Sequence, residues 1–342
     1  MRDLVVAGGG PVGLATALYA ARAGLDVVVR EPRVGPIDKA CGEGLMPGAV
    51  AGLADLGVAP AGHPILGIRY LDGTSRAEAP FRRGNGLGVR RTTLHAAMLD
   101  AVATAGITVA GPAVRQVRDR GDHLLVDGEP VRYLVAADGL HSRIRSLVGL
   151  DGPAPGDRQR RYGLRRHAPL PPWTEFVEVH WSAVGEAYVT PVSDDQVGIA
   201  VLTSRRCGFD ELIGQFPAIA ARLAGCEPTR VRGAGPLRQR VRGRVSGHVL
   251  LVGDAAGYID ALTGEGIALG LAQARAAVAA ITAGDPQRYE TEAQRIGRPH
   301  TALTMGLLTA TRLPAVRRRL VPVAHRLPRV FGAVVDRLAR PA

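Results

Sequence analysis

The chain has 342 residues, is 46% hydrophobic and carries a formal charge of +12. That length and apolar content bury a sizeable core and predict two lobes, while no uninterrupted apolar run approaches the roughly 20 residues of a membrane-spanning helix. The charge is nearly all arginine, since Lys39 is the only lysine; spread from Arg2 to Arg340 with no recognisable nucleic-acid module, it argues against a nucleic-acid partner and for an acidic ligand.

The N-terminus is apolar but has neither a basic leader region nor a small-residue cleavage site, so it reads as a buried strand rather than a signal peptide. Strand Leu4–Ala7 runs into Gly8-x-Gly10-x-x-Gly13, with Pro11 and Val12 inside the turn, and then into an alanine-rich helix. In such a turn Gly8 permits the tight bend, Gly10 lets a pyrophosphate approach the backbone, and Gly13 lets helix and strand close together. The unpaired N–H groups at the helix start face the phosphates. A second apolar strand, Leu25 to Arg30, ends at Glu31, 18 residues past Gly13, where a carboxylate can accept ribose hydroxyls and disfavours a 2′-phosphate.

Helical period returns at Thr92 to Thr104, followed by a strand at Ile107–Ala110 and a meander through Val114–Arg118, His123–Val126 and Val131–Ala137. From Gly156 to about Pro236 longer alternating strands predict an antiparallel sheet with one covered face, inserted as a substrate lobe. Strand Val249–Val252 then leads to Gly253-Asp254-Ala255-Ala256-Gly257, and Gly264 to Ala283 forms an alanine-rich helix. Two glycine clusters some 240 residues apart suggest one dinucleotide held at both ends, which points to FAD.

The expected architecture is therefore α/β: a discontinuous Rossmann-like FAD-binding domain (1–64, 86–158 and 236–284), an inserted antiparallel substrate domain (65–85 and 159–235) and a C-terminal helical segment (285–342) divided at Pro314, Pro322 and Pro328. Residues Arg312 to Arg340 mix Leu, Val and Phe with eight arginines. A peripheral membrane-surface helix and an amphipathic helix packed on the lobe share that pattern. Cys41, Cys207 and Cys226, odd in number and without metal-ligand spacing, predict no disulfide, no metal site and a reducing, cytoplasmic setting.

In order and spacing, the Gly8–Gly13 turn with Glu31, Arg91-Thr92-Thr93-Leu94, Asp138-Gly139 with the following His141 to Arg145, and Gly253–Gly257 resemble the FAD-dependent aromatic hydroxylase superfamily (group A flavoprotein monooxygenases), which includes the geranylgeranyl reductases and flavin-dependent halogenases. The resemblance covers residues 1 to 283. It implies that Arg91, or its neighbour Arg90, lies near the FAD pyrophosphate, that Asp138 and Gly139 organise the cofactor site, and that Asp254 accepts a ribityl hydroxyl. A helix-capping role is the alternative for both acids. Backbone N–H groups of Gly264-Glu265-Gly266-Ile267 would face the flavin's pyrimidine edge.

Asp38 to Pro47 looks like the cysteine-glycine loop of geranylgeranyl reductases, while its Gly42 to Pro47 portion resembles the equivalent loop of halogenases and some hydroxylases. Cys41 and Glu43 are the candidate catalytic residues, a thiol that tunes the ring or donates a proton, and a carboxylate that acts as an acid or holds a substrate hydroxyl. The alternative is a loop shaped by its glycines. Arg165, His180 and Tyr188 are assigned no role. The halogenase W-x-W-x-I-P signature and its lysine are missing, which argues against halogenation. No second strand-linked G-x-G-x-x-G appears, so NAD(P)H is expected as a transient reductant, or a partner reductase delivers the electrons.

The leading expectation is NAD(P)H-driven monooxygenation of an apolar, aromatic or polyketide-like small molecule through a flavin C4a-hydroperoxide. The runner-up is reduction of a double bond in a prenyl or lipid-like chain.

Overall fold

The structure is a computed structural model that describes residues 1–154, 156 and 160–340; the boundary expected between residues 158 and 159, and the end of the C-terminal segment, lie outside the described residues. Its central sheet runs β17 (Val245–Ser246), β18 (Val249–Leu251), β11 (Glu129–Ala136), β1 (Arg2–Ala7), β2 (Val27–Arg30) and β8 (Thr108–Val109). All neighbours in it are parallel except β17 and β18, and β9 (Val117–Asp119) and β10 (Leu124–Val126) add an antiparallel meander on β11.

Parallel strands need both faces covered, which explains their unbroken valine and leucine runs. One face packs on α1 (Pro11–Arg22), α3 (Arg91–Thr104) and α7 (Gly266–Thr282), whose buried Ala15, Ala17, Ala274 and Ala277 let the helices approach closely. Leu4, Leu14 and Met98 are fully buried in this core, where truncation to alanine costs about 2–5 kcal/mol each. The turn between β1 and α1 has no room for side chains. A Cβ on Gly13 would lie 1.9 Å from the Gly8 carbonyl oxygen, and Gly8, at φ +105°, would place one 2.5 Å from the Ala137 carbonyl oxygen.

The second sheet runs β16 (Arg232–Ala234), β12 (Tyr162–Ala168), β15 (Gln196–Thr203), β14 (Gly185–Ser193), β13 (Phe176–Ser182), β5 (Gly67–Leu71) and β6 (Arg76–Pro80). Its neighbours are antiparallel except β13 and β5, which pair in parallel because the chain between them passes through the central sheet rather than a hairpin. The expectation of a single covered face is corrected here: nearly every residue of β14 is buried. One face packs on α5 (Phe209–Ile213) and α6 (Pro217–Leu223); the other turns toward the central sheet and the C-terminal helices. A small sheet of β3 (Gly44–Leu45), β7 (Gly86–Gly88) and β4 (His63–Ile65), with α2 (Pro47–Asp55), lies where the chain passes between the two large sheets, and α4 (Arg143–Leu147) follows β11.

The chain ends in α8 (Gln287–Thr311), α9 (Pro314–Arg326) and α10 (Pro328–Leu338). Pro314 and Pro328 open helices, but Pro322, expected to divide the segment, lies inside α9, as Pro299 does in α8. The carbonyl that loses its donor to Pro322 belongs to Arg318, four residues back and exposed, where water can take the place of the missing N–H. Leu308 and Val321 pack on Val179 and Trp181, while Phe331 and Val335 pack on Ala77 and Ala79 of β6.

Candidate functional site

A cavity of about 860 Å³ lies between the two large sheets. At one end it is lined by Gly10, Pro11, Val12, Arg91, Asp138, Gly139, Gly253, Asp254 and the turn Gly264, Glu265, Gly266 and Ile267, from loops at the carboxyl ends of central strands and from the starts of α1, α3 and α7. At the other end Ile68, Tyr70, Val177, Val179, Tyr188 and Leu202 of the second sheet make an apolar wall. Cys41 and Glu43 line it on a loop that joins these ends, since Glu43 accepts the Arg91 N–H and a Cβ on Gly44 would lie 3.3 Å from Val177, whereas Gly8, Gly13 and Glu31 do not line it. Gly8 and Gly13 shape the turn, and Glu31 lines a smaller neighbouring cavity of about 480 Å³ that also meets Arg33 and His95.

The polar end suits a dinucleotide. A Cβ on Gly10 would meet nothing nearer than the Arg91 guanidinium at 3.8 Å, so the backbone is open to an approaching phosphate. Arg91, Arg33 and Lys39 all line the cavity, supplying cationic charge for the two phosphates of FAD. Of the two neighbouring arginines, Arg91 lines the cavity and Arg90 does not. The buried Arg91 Nε and Asp138 Oδ1 have no hydrogen-bond partner among the described residues. Burial pushes the Asp254 carboxyl up against the pull of Lys39 and Arg91, and burial lowers the Lys39 ammonium while Asp254 opposes it.

Both readings of Asp138 meet in one side chain. Its Oδ2 accepts the Ile144 N–H at 3.2 Å at the start of α4, and its Oδ1 is the orphaned atom. Arg145, almost fully buried, then ties this loop to the second glycine cluster: it donates to Asp151 at 2.7 Å, to the Ala255 carbonyl at 3.2 Å and to the Leu140 carbonyl at 3.3 Å.

Glu31 is already engaged. Its carboxylate accepts the Gly9 N–H at 2.9 Å, and the Arg33 guanidinium grips both oxygens at 2.7 and 2.9 Å. Burial raises this carboxyl, but the Arg33 fork and the backbone donors outweigh it and hold the group below its ordinary value. In this structure the acid braces the Gly9 turn, and ribose hydroxyls would share it with Arg33.

The loop from Asp38 to Gly44 is fixed by partners the sequence did not reveal. Glu43, in the left-handed region at φ +59°, accepts the Arg91 N–H at 2.9 Å and faces His167 Nε2 at 2.7 Å, both acidic and imidazole side chains being 1% exposed. Arg165 N–H donates to His167 Nδ1 at 3.2 Å, which leaves Nε2–H to donate to Glu43. Arg165 also pairs with Asp38, and Thr190 donates to the Gly42 carbonyl at 2.9 Å. A Cβ on Gly198 would come within 2.9 Å of Glu43 Oε2, so β15 makes room for the carboxylate by carrying a glycine there. Glu43 thus joins the loop to the second sheet. Cys41 Sγ accepts the Glu43 N–H at 3.4 Å, and burial pushes its thiol up, keeping it protonated at neutral pH.

Two further groups escaped sequence reading. His300 of α8 lines the cavity and holds Glu265 of the Gly264–Ile267 turn through Nδ1 at 2.6 Å. Arg161, on the second sheet's side, lies between the buried Glu186 and Asp260, both pushed up by burial against its pull. Of the three residues left without a role, Arg165 and Tyr188 line the cavity, with the Tyr188 hydroxyl donating to the Leu262 carbonyl at 3.1 Å, while His180 pairs with Glu178 at 3.2 Å away from it.

No family model matches the chain. It is 31% identical over 333 residues to a menaquinone reductase of Mycobacterium tuberculosis, covering 86% of this chain and 81% of the relative. A digeranylgeranylglycerophospholipid reductase of Methanothermobacter thermautotrophicus is 26% identical over 321 residues, covering 83% and 78%. Among solved structures, a triple mutant of the flavin-dependent brominase Bmp2 superposes with a TM-score of 0.84 over 99% of this chain and 94% of its own, at 16% identity, a likeness of fold. The chain belongs to the FAD-dependent superfamily of geranylgeranyl reductases and aromatic hydroxylases, and is an FAD-dependent oxidoreductase.

Proposed function

We propose that this oxidoreductase reduces a carbon–carbon double bond in a prenyl or similarly lipid-like chain, with a quinone-linked chain as the first candidate. The observation that carries the reading is the apolar compartment that opens directly from the cofactor end of the same cavity, with Cys41 on the loop that joins the two. The menaquinone and digeranylgeranyl lipid reductases among its relatives support it. This reading takes precedence over monooxygenation, whose support is the water-excluding wall of Val177, Val179 and Leu202 alone.

Saturating a double bond adds a hydride to one carbon and a proton to its neighbour. Bound FAD, once reduced, supplies the hydride. The rest is the protein's work. Gly10, Arg91, Lys39 and Arg33 would hold the pyrophosphate, Asp254 the ribityl chain, and the N–H groups at the start of α7 the pyrimidine edge. Cys41, a thiol rather than a thiolate, holds the proton beside the apolar wall. Glu43, with His167 and Arg165, keeps that loop in place, acting as a positioning residue. NAD(P)H docking transiently, or a partner reductase, returns the electrons.

The test is a single turnover under argon. Enzyme reduced with dithionite is mixed with a short-chain prenylquinone, and flavin absorbance is followed. Reoxidation without oxygen, with the two added hydrogen atoms on adjacent carbons of the prenyl chain, supports the reading; reduction of the quinone ring alone overturns it, and reoxidation only on admitting oxygen, with an oxygenated product, overturns it in favour of monooxygenation.

A further inference from the structure

Nine large apolar side chains are exposed among the described residues, and six of them, Leu313, Val316, Val323, Leu327, Val330 and Val334, fall on α9, α10 and the turns that begin them, at 37% to 60% exposure. Such a concentration at one end of a chain is not the scattered exposure that a monomer's surface ordinarily shows.

Helix geometry explains it. Each residue turns the helix by about 100°, which sets Leu327, Val330 and Val334 directly beside the buried Phe331, Val335 and Leu338 on one continuous stripe of α10. The stripe is wider than the sheet it covers, and its outer flank overhangs. Val316 and Val323, two turns apart, continue the overhang on α9.

Arginine accompanies this flank. Residues 312 to 340 hold eight arginines and one acid, Asp336, which sits 3.8 Å from Arg340. Arg318, Arg319, Arg326, Arg329 and Arg337 are exposed and have no acidic partner among the described residues. A partner for this face must remove water from the apolar flank and bring anions to the arginines. A second copy of the face would set arginine against arginine. The interface of an anionic phospholipid bilayer offers both features at once.

We propose that the overhanging flank of α9 and α10 docks this enzyme on an anionic phospholipid bilayer. The same helix reaches the cavity: Leu338 of α10 lines it and packs on Met46. Docking would therefore set the apolar compartment beside the phase in which a prenyl chain dissolves. That consequence rests on the proposed function; the docking itself does not.

The experiment floats the FAD-loaded full chain with vesicles of phosphatidylcholine alone or mixed with phosphatidylglycerol, at low and high salt. Co-flotation at least about tenfold stronger with phosphatidylglycerol and weakened by salt is expected. So is a loss of about tenfold or more in each of two variants, Leu327→Ser/Val330→Ser/Val334→Ser and Arg318→Gln/Arg319→Gln/Arg326→Gln, at unchanged flavin content and melting temperature. No wild-type flotation, flotation unaltered by both sets of substitutions, or a wild-type dimer that the serine variant makes monomeric would each overturn the proposal. Turnover of a detergent-dissolved prenylquinone, measured in parallel, separates the two readings: if it persists while flotation fails, docking falls and the reductase reading stands.

Discussion

The two ends of the cavity are built on opposite principles. At the proposed cofactor end, backbone and fixed charge come together: a turn with no room for side chains, helix starts, and Arg91, Lys39 and Asp254 converging on one volume. At the substrate end Val177, Val179, Leu202 and Leu338 present shape and apolarity, and the buried charges around Arg161 are paired with one another. The first kind of site tolerates almost no substitution and selects one ligand. The second is tuned by small changes in side-chain volume, so one cofactor fold can serve many substrates.

That contrast can be broken or sharpened by substitution. The largest effect is expected at Gly13, where valine would meet the Gly8 carbonyl oxygen at 1.9 Å: the protein should lose more than about 4 kcal/mol, read as failure to fold or a collapsed thermal midpoint. Next comes Glu43→Ala, which leaves His167 buried without its acid while Arg165 keeps Asp38; denaturant melts should show a loss of about 3 kcal/mol, with Glu43→Gln milder.

Gly10→Val separates folding from binding. Gly10 has φ −72° and open space above it, so the apoprotein should melt as wild type does while FAD affinity falls about 100-fold, or about 2.7 kcal/mol. Equal affinity in fluorescence titrations would break the contrast at its cofactor end. Cys41→Ser should keep FAD but slow the anaerobic double-bond step about tenfold or more. Because burial raises the thiol, the wild-type step should be flat across neutral pH and fall only on the alkaline side.

The smallest effect belongs to Arg33→Gln. Glu31's folded pKa lies below its ordinary 4.5, so its stabilisation is complete above that value and is lost as pH falls through the folded pKa. Removing the half-exposed Arg33 should cost about 1 kcal/mol at neutral pH and flatten the acid limb of the stability curve, measured by urea melts across the acid range.

How far these features were legible in the chain follows from how local they are. The turn from Gly8 to Gly13, the Asp138-Gly139 loop and the Gly253–Gly257 cluster are contiguous, and their spacing carried the fold and the FAD site. Partners brought together only by tertiary packing were not legible: His167 meets Glu43 across 124 residues, and His300 meets Glu265 across 35. Arg33, two residues beyond Glu31, was close enough to notice, and a bidentate pair at that spacing was the missed signal. Pro322 misled because the carbonyl it frees, that of Arg318, lies on an exposed face where water can replace the missing N–H.

The most direct test of the account follows the two hydrogens. With electrons supplied by dithionite in heavy water, reduction of a prenylquinone under argon should place deuterium on two adjacent carbons of the prenyl chain. A product that contains an added oxygen atom, or that forms only in air, would contradict it.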